Sequence, residues 1–309
     1  MERTINNRSQ VLEQISKEAS LSPAGEETIN PLKSQRTNYM ENAQRKTIIK
    51  ETFNTVSEAY DSKALRFFPE SAKYLASTLC LHGNERVIDI ATGTGNAALA
   101  LSAYLPHGSV KGIDFSSGML AQARKKAELQ NVRNVEFLEM DMQDIDLAEA
   151  RFDVATCAFG IFFVEDMDTQ LAQIASLVRD GGTIAICNFQ ESYFNPLRDL
   201  MIKRLTDYHV QLPPQTWKRI ATEAGCRVLF EKAGIRDIRV EQKNMGYYLA
   251  DASEWWDLIW NAGFRGMLKQ LQPDVLERFR QEHMQEVAEL ATKDGIWLDI
   301  GVLYTIGTK

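Results

Sequence analysis

One nine-residue stretch constrains the fold of this chain more than any other feature. Residues 87–95 read Val-Ile-Asp-Ile-Ala-Thr-Gly-Thr-Gly, and Asn-Ala-Ala-Leu-Ala-Leu follows directly. Val87–Ile90 predicts a buried strand, the two glycines predict a tight turn, and the apolar run predicts the start of a helix. This order is typical of a nucleotide site in an open α/β sheet, because glycines let a ligand approach the backbone and the helix N–H groups point at it.

Two kinds of nucleotide are compatible with this turn. Gly93, Gly95 and Ala98 fit the G-x-G-x-x-A pattern of dinucleotide sites, so an NAD-type oxidoreductase is one alternative. Asp89 lies inside the strand, where a carboxylate can hold an ammonium group, directly or through water, or order the amides of the turn. A nicotinamide site has no amine that needs such a partner, so Asp89 favours a different nucleotide.

Length and charge exclude several classes of protein. The 309 residues, 44% of them hydrophobic, allow one large domain or a domain with a substantial insertion. The net charge of −7 and the lack of a basic tract argue against a nucleic-acid partner. The four cysteines have no metal-binding spacing, and neither a signal peptide nor an apolar run of transmembrane length is recognisable. We therefore expect a cytoplasmic protein with no metal and no stable membrane insertion.

The chain divides into a polar N-terminal segment and one domain. Residues 1–40 predict a mobile tail with a nascent helix, or an arm that closes the site or packs on a partner subunit in a homodimer. Within residues 41–309, strands and helices alternate as far as a strand at Thr183–Asn188, which predicts a doubly wound, mostly parallel α/β sheet. Two helical insertions, at about residues 193–222 and 246–290, are predicted to form a lid over the substrate. Ile296–Ile306 is predicted to close the sheet as one long strand.

Acidic residues follow the second and third predicted strands. Asp114 lies 19 residues after the glycine turn, where an acid accepts both hydroxyls of a ribose; its alternative role is to cap the following helix. Phe115 and Met119 could cover an adenine face beside it. Asp141 follows the third strand and could accept from an adenine amino group, with Met142 against the ring; its alternative is a plain loop acid.

Taken in order, these motifs resemble the class I S-adenosylmethionine-dependent methyltransferases. The upstream segment from Phe53 to Asp61 is similar to that of the ubiquinone/menaquinone-biosynthesis-like branch, the methyltransferase domain 11/25 type. The resemblance covers about residues 50–190 and the last strand. It rests on Asp89-x-Ala91-x-Gly93-x-Gly95, Asp114-Phe115-Ser-x-x-Met119, Asp141-Met142, Val178-Arg-Asp-Gly-Gly and Val302-Leu-Tyr-Thr-Ile-Gly.

The resemblance implies a seven-stranded sheet with an antiparallel last strand and S-adenosyl-L-methionine as cofactor. It implies that Asp89 and the glycine turn hold the methionine end, Asp114 the ribose, and Asp141 with Met142 the adenine, while Tyr60 covers the sulfonium side. Ala91 replaces a glycine that is often found first in the turn. The predicted cofactor-binding residues are Tyr60, Asp89, Ala91, Gly93, Gly95, Asp114, Phe115, Met119, Asp141, Met142 and Ala158.

Methyl transfer from a sulfonium is mainly a matter of position. The protein must bring the nucleophile within about 3–3.5 Å of the methyl carbon, and a general base matters only when the nucleophile must lose a proton. His209, in the insertion over the strand tips, is the candidate base, with packing or capping as its alternative role. Tyr208 and Asp61 are weaker candidates, and His283 is expected to be exposed.

The insertions are rich in aromatic residues, which predict either core packing or the wall of an apolar pocket. We therefore expect methyl transfer to carbon, oxygen or nitrogen of a small, largely apolar or aromatic acceptor, as in secondary metabolism. A second alternative is a cyclase or cofactor-binding protein of the same fold that transfers no methyl group. The predicted substrate-binding residues are Phe159, Phe163, Tyr193, Trp217, Tyr247, Trp256 and Trp260.

Overall fold

The computed structural model describes residues 31–147 and 151–309, with side chains from residue 43 onward. The predicted N-terminal arm lies outside the described residues as far as residue 30. The chain divides into two units, one up to Ile49 and one spanning Lys50–Lys309. No described helix is long and apolar enough to cross a bilayer.

The order of helices and strands follows the predicted alternation. The strands are β1 (Arg86–Ile90), β2 (Ser109–Asp114), β3 (Val135–Glu139), β4 (Phe152–Ala158), β5 (Val178–Phe189), β6 (Arg236–Asn244), β7 (Tyr247–Leu249), β8 (Ile296–Leu298) and β9 (Gly301–Thr308). The helices are α1 (Pro31–Val56), α2 (Phe67–Thr78), α3 (Asn96–Ser102), α4 (Ser117–Leu129), α5 (Met167–Leu177), α6 (Leu197–Asp207), α7 (Glu223–Lys232), α8 (Ala252–Trp260), α9 (Arg265–Leu268) and α10 (Pro273–Ala288).

Seven strands form the main sheet, in the order β3-β2-β1-β4-β5-β9-β6. β9 runs antiparallel to both β5 and β6, and the other neighbouring pairs are parallel. The predicted doubly wound sheet with an antiparallel last strand is therefore confirmed. The strand order reverses between β1 and β4, and ligands of open α/β sheets bind outside the strand ends at such a point.

Both faces of β1 are covered, which explains its continuous apolar sequence. Successive side chains of a strand point to opposite faces of the sheet. Accordingly, Val87 packs in one core with Leu75 of α2, while Ile88 packs in the other with Leu171 of α5. Two apolar layers thus hold the strand in register and fix the position of the turn at its end.

The segments after β5 and after β6 pack together as one helical layer. α6 follows β5, while α8, α9 and α10 lie between β6 and β9. α10 contacts both α6 and α8. The helical character predicted for residues 193–222 and 246–290 is therefore largely present, although Tyr247–Leu249 is a strand that pairs with Ile296–Leu298 in a separate two-stranded ribbon.

The prediction of one continuous strand over Ile296–Ile306 was wrong. The chain leaves the ribbon at Asp299 and enters the main sheet at Gly301. The backbone carbonyl of Asp299 accepts from the N–H of Phe194 at 2.6 Å, and its carboxylate accepts from Ser192 Oγ at 3.1 Å. These contacts with the segment after β5 replace strand pairing and divide the predicted strand in two.

The prediction that His283 is exposed was also wrong. Phe279, His283 and Val287 recur every four residues and form the buried face of α10. Nε2 of His283 accepts from Trp255 Nε1 at 2.9 Å, and Nδ1 lies 3.7 Å from a carboxylate oxygen of Glu286. Burial lowers the pKa of His283 to about 4, although the charge of Glu286 opposes the fall.

This lowered pKa predicts that His283 makes stability depend on pH. Below about pH 6.5 the unfolded chain protonates His283 while the folded protein does not, so stability is lost as the pH falls towards about 4. His283→Gln keeps an acceptor for Trp255 but does not titrate. We expect urea unfolding to show the wild type losing on the order of 3 kcal/mol relative to this variant between pH 7 and pH 4.

His107→Gln is the matched control, because His107 is exposed on the connection between α3 and β2. This variant retains His283, so it should lose stability towards pH 4 as the wild type does. An equal pH dependence in wild type and His283→Gln would contradict the assignment of the buried imidazole as neutral.

Candidate functional site

The turn after β1 is held in a left-handed conformation by its sequence and its backbone contacts. Ala91, Gly93 and Gly95 have φ values of 53°, 55° and 79°. The N–H of Thr92 donates to the carbonyl of Ile113 on β2 at 2.9 Å, and the N–H of Gly95 donates to Thr92 at 2.8 Å. Ala91 therefore adopts a conformation that glycine would enter at lower cost.

The two glycines of the turn are needed for different reasons. A Cβ on Gly95 would lie 2.9 Å from the ring of Phe137 and 3.0 Å from Ala123, so close helix–sheet packing excludes it. A Cβ on Gly93 would meet nothing within 4 Å. Gly93 thus faces open space at the end of the strand, as expected of backbone that a ligand approaches.

Asp89 stabilises the turn through hydrogen bonds inside the sheet. Its two carboxylate oxygens accept from Thr92 Oγ1 and from Thr156 Oγ1 of β4, each at 2.6 Å. Burial raises its pKa to about 6, and these two hydrogen bonds and one from the N–H of Ala98 oppose the rise. Of the roles considered for Asp89, the geometry supports ordering of the turn, since the residue is only 1% exposed and both oxygens accept from threonine hydroxyls inside the sheet.

Asp114 is brought directly to the open side of the turn. Its carboxylate accepts from the N–H of Gly93 at 2.9 Å and from the N–H of Ser116 at 2.8 Å. Burial raises the pKa of Asp114, and the backbone N–H groups oppose this. Ser116, whose Oγ accepts from the N–H of Met119, caps α4. The helix-capping alternative for Asp114 therefore does not apply.

Asp141 and Met142 lie in the loop that follows β3, half-buried. Asp141 Oδ1 accepts from the N–H of Gln143 at 2.9 Å, and the carbonyl of Met142 accepts from Gln170 Nε2 at 2.7 Å. Because β3 pairs in parallel with β2, this loop follows the same sheet edge as Asp114. The structure thus brings the third predicted acid to the crevice and anchors its loop to α5.

The remaining predicted cofactor residues differ in exposure. Phe115 and Ala158, at the ends of β2 and β4, are half-buried at the same sheet edge. Met119 is only 1% exposed. Of the two residues predicted to cover an adenine face, Phe115 therefore offers exposed ring surface at this edge and Met119 does not.

The segment before α2 is tied to the glycine turn, a contact that sequence reasoning missed. Asp61 accepts from Thr94 Oγ1 at 2.9 Å and from Asn96 Nδ2 at 3.0 Å. Lys126 Nζ lies 2.8 Å from the other carboxylate oxygen of Asp61. This network holds the neighbouring Tyr60 beside the crevice and engages Asp61 as a structural anion.

An aromatic cavity of about 160 Å³ adjoins the turn. Eleven of its sixteen lining residues are Phe or Tyr, and the polar side-chain groups among the lining residues are the hydroxyls of two tyrosines. The lining consists of Phe53, Tyr60, Leu65, Phe67, Phe68, Phe159, Phe162, Phe163, Phe189, Tyr193, Phe194, Leu258, Ala262, Gly263, Phe264 and Met267.

Tyr60 and Phe159 connect this cavity to the nucleotide crevice. Tyr60 lines the cavity and is close enough to Asp114 for that negative charge to raise its pKa, in addition to the effect of burial. Phe159 also lines the cavity, and the next residue, Gly160, packs so closely on Ala91 that a Cβ would lie 2.7 Å from its methyl group. The two sites therefore share a wall.

Three of the predicted substrate-binding residues, Phe159, Phe163 and Tyr193, line the cavity. Trp217 packs edge-on against Tyr193, with ring centroids 5.0 Å apart. Trp217 itself does not line the cavity, and neither do the other three predicted residues. The hydroxyl of Tyr247 donates to the carbonyl of Ala64 at 2.6 Å, and Trp256 and Trp260 stack on each other at 5.9 Å.

Phe67, Phe68 and Phe189 line the cavity without having been predicted. The adjacent Phe67 and Phe68, shortly after the segment that resembles the family, were an available signal. Phe189 ends β5 and its ring lies 4.6 Å from that of Tyr193. It gave no local signal, because a single Phe at a strand end is common in cores.

His209 does not line this cavity, so the structure gives no support to its prediction as the catalytic base. It is exposed directly after α6, with a left-handed φ of 56° and its N–H donating to Thr206 at 2.9 Å. A left-handed residue at this position terminates a helix. Tyr208 is engaged elsewhere too, because its hydroxyl donates to Glu282 at 2.7 Å.

Comparisons with known proteins agree with this geometry. Residues 87–182 match the family described as "Methyltransferase domain". The chain is 37% identical over 105 residues to a demethylmenaquinone methyltransferase of Thermus thermophilus, covering 34% of this chain and 47% of that protein. It is 29% identical over 147 residues to aklanonic acid methyltransferase DauC of a Streptomyces species, which covers 47% of this chain and 67% of that protein. The chain thus spans about half the length of the first of these relatives.

Solved structures agree on the fold. The YcgJ protein of Bacillus subtilis superimposes with a TM-score of 0.54 at 18% sequence identity, covering 78% of this chain and 98% of that one. The strand order, the glycine turn with its two acids and the matched family together remove the oxidoreductase alternative. Residues 87–182 match a methyltransferase domain, and the sheet around them has the fold of the class I, S-adenosylmethionine-dependent methyltransferases.

Proposed function

We propose that this protein transfers the methyl group of S-adenosylmethionine to a small, largely apolar or aromatic acceptor. The observation that carries the proposal is the aromatic cavity beside the glycine turn. The relatives reported above are named for demethylmenaquinone and aklanonic acid, which supports a ring-bearing acceptor. The helical layer that supplies Tyr193 and Phe264 would then act as the lid over this acceptor.

The crevice fits an adenosine that carries an amino-acid tail. Gly93 has no side chain, so the space beside its backbone is open to a ligand. The carboxylate of Asp114 lies next to this space, where it accepts from the N–H of Gly93. We assign Asp114 to the ribose hydroxyls, Asp141 and Met142 to the adenine, and Tyr60 to the sulfonium side. When bound, S-adenosylmethionine supplies a methyl group on a positively charged sulfur.

The cavity would act by position and by exclusion of water. Apolar walls hold a planar ring in place and let its reacting atom approach in line, so that binding lowers the entropic cost of the reaction. Its lining offers no carboxylate, imidazole or amine among the described residues. The geometry therefore favours an acceptor that is acidic enough, such as a phenol or an enol, to lose its proton without a strong protein base.

Incubation with methyl-labelled S-adenosylmethionine and a panel of phenols, enols and hydroquinones tests the proposal. Labelled product with at least one acceptor is the expected result. Tight binding of S-adenosylhomocysteine with no labelled product from any acceptor would instead favour the alternative, a cyclase or cofactor-binding protein of this fold.

Asp114→Ala should weaken S-adenosylhomocysteine binding at least tenfold, equivalent to about 1.4 kcal/mol, because both the ribose acceptor and the partner of the Gly93 N–H are lost. Asp114→Asn keeps an oxygen acceptor and should bind with intermediate affinity. Calorimetric titration gives both values, and Asp180→Ala, at an exposed position near the start of β5, is the control. An unchanged affinity in Asp114→Ala would refute the ribose assignment.

Phe163→Ala should raise the KM for the acceptor about tenfold, because it removes an aromatic ring whose apolar surface would contact the acceptor. The affinity for S-adenosylhomocysteine should change little. Trp297→Ala, which removes an exposed ring from the β7–β8 ribbon, is the matched control.

His209→Asn tolerates the left-handed backbone and should retain wild-type turnover. Slow turnover in His209→Asn, measured at saturating acceptor, would restore His209 as the base.

A further inference from the structure

One of the two lining hydroxyls of the aromatic cavity belongs to a residue that shortly precedes α6. Tyr193, on the segment between β5 and α6, is one of the two lining residues that carry a hydroxyl. The other, Tyr60, lies at the end shared with the nucleotide crevice. Rings in contact lead from one to the other: Tyr60 stacks on Phe68, Phe68 meets Phe159 edge-on, and Phe189 joins Phe159 to Tyr193. Tyr193 therefore marks the end of the cavity away from Asp114.

Arg198 packs against Tyr193 in an unusual environment for a charge. Its guanidinium carbon lies 4.5 Å from the centroid of the Tyr193 ring and 5.1 Å from that of Trp217. Its side chain is 11% exposed, and its ion-pair partner is the exposed Asp199 at 3.5 Å. Nη1 is buried and has no hydrogen-bond partner among the described residues. A buried charge with so little pairing is costly, which points to a role beyond packing.

The position of Arg198 makes the Tyr193 hydroxyl a stronger hydrogen-bond donor. The guanidinium lies 4.5 Å from the centroid of the Tyr193 ring, so its positive charge draws electron density away from the hydroxyl. Burial raises the pKa of the Tyr193 hydroxyl, and the charge of Arg198 opposes that rise. The hydroxyl keeps its proton and can donate it to a third group.

We propose that Tyr193 donates a hydrogen bond to an oxygen of the methyl acceptor and that Arg198 is its positioning residue. The cavity then selects a ring that bears a carbonyl, phenolate or carboxylate oxygen, and it disfavours ammonium groups. This inference rests on the proposed function, because it assigns the acceptor to the aromatic cavity.

The size of the cavity narrows the acceptor further. Its volume of about 160 Å³ is close to the ~150 Å³ of an apolar cavity that holds one benzene ring. A single ring with one oxygen-bearing substituent is therefore the smallest ligand that both fills the cavity and reaches Tyr193. Benzoate and benzamide are suitable probes, since they have nearly the same shape and differ in charge.

Calorimetric titration of the protein loaded with S-adenosylhomocysteine measures the affinity for each probe. The wild type should bind benzoate about tenfold more tightly than benzamide, because hydrogen bonds to an ionised acceptor are the stronger ones. Arg198→Met should weaken benzoate about tenfold and benzamide less than threefold, and Arg198→Lys should lie between. Tyr193→Phe should weaken both probes, because each offers an oxygen to the lost hydroxyl.

Matched controls separate recognition from loss of structure. Arg280→Met removes a guanidinium that lies 5.6 Å from the Trp256 ring outside the cavity, and Tyr248→Phe removes an exposed hydroxyl. These two control variants should bind benzoate and benzamide with wild-type affinity. Every variant should retain the wild-type affinity for S-adenosylhomocysteine. Equal losses for both probes in Arg198→Met would mean that Arg198 only packs, which would overturn the proposal.

The proposal is also overturned if the wild type binds neither probe or does not distinguish them. These measurements involve no methyl transfer. A protein that shows the expected preferences but forms no labelled product would refute the proposed function and leave the recognition by Tyr193 in place.

Discussion

The buried carboxylate of Asp89 is the interaction on which the site depends. It joins β1, the turn and β4 through two threonine hydroxyls, and α3 through one backbone N–H. Such a charge is costly to bury unless donors satisfy it, so the threonines and the acid form one unit. With the turn fixed in this way, Gly93 faces the crevice and its N–H meets Asp114. The geometry of the nucleotide site is thus set from inside the sheet.

The two halves of the site use opposite chemistry. On the nucleotide side, acids and backbone N–H groups at strand ends recognise polar atoms at fixed points. On the proposed acceptor side, aromatic rings from distant parts of the chain form an apolar enclosure whose lining includes two tyrosines. In the proposed function, the first half would fix the orientation of the cofactor and the second would select the acceptor.

Sequence reasoning succeeded where the signal was local. The strand, turn and helix at residues 87–101, and the acids after β2 and β3, follow from patterns within a few residues. It failed where distant segments decide the outcome. Asp299 interrupts a strand because it pairs with the segment after β5, and His283 is buried because α8 supplies a partner for its ring. Trp256 and Trp260 lie on one helix face, but the position of that face depends on packing that the sequence pattern alone does not specify.

The position of β9 in the sheet has a consequence for the order of folding. β9 lies between β5 and β6, yet it follows both helical segments in the chain. During synthesis, the edges of β5 and β6 stay unpaired until β9 has been made, more than a hundred residues after the end of β5. Unpaired strand edges can bind the edges of other chains. Closure of the sheet is therefore a late, long-range step. The charged sequence of β6, Arg-Asp-Ile-Arg-Val-Glu-Gln-Lys-Asn, suits an edge that must stay unpaired in the meantime.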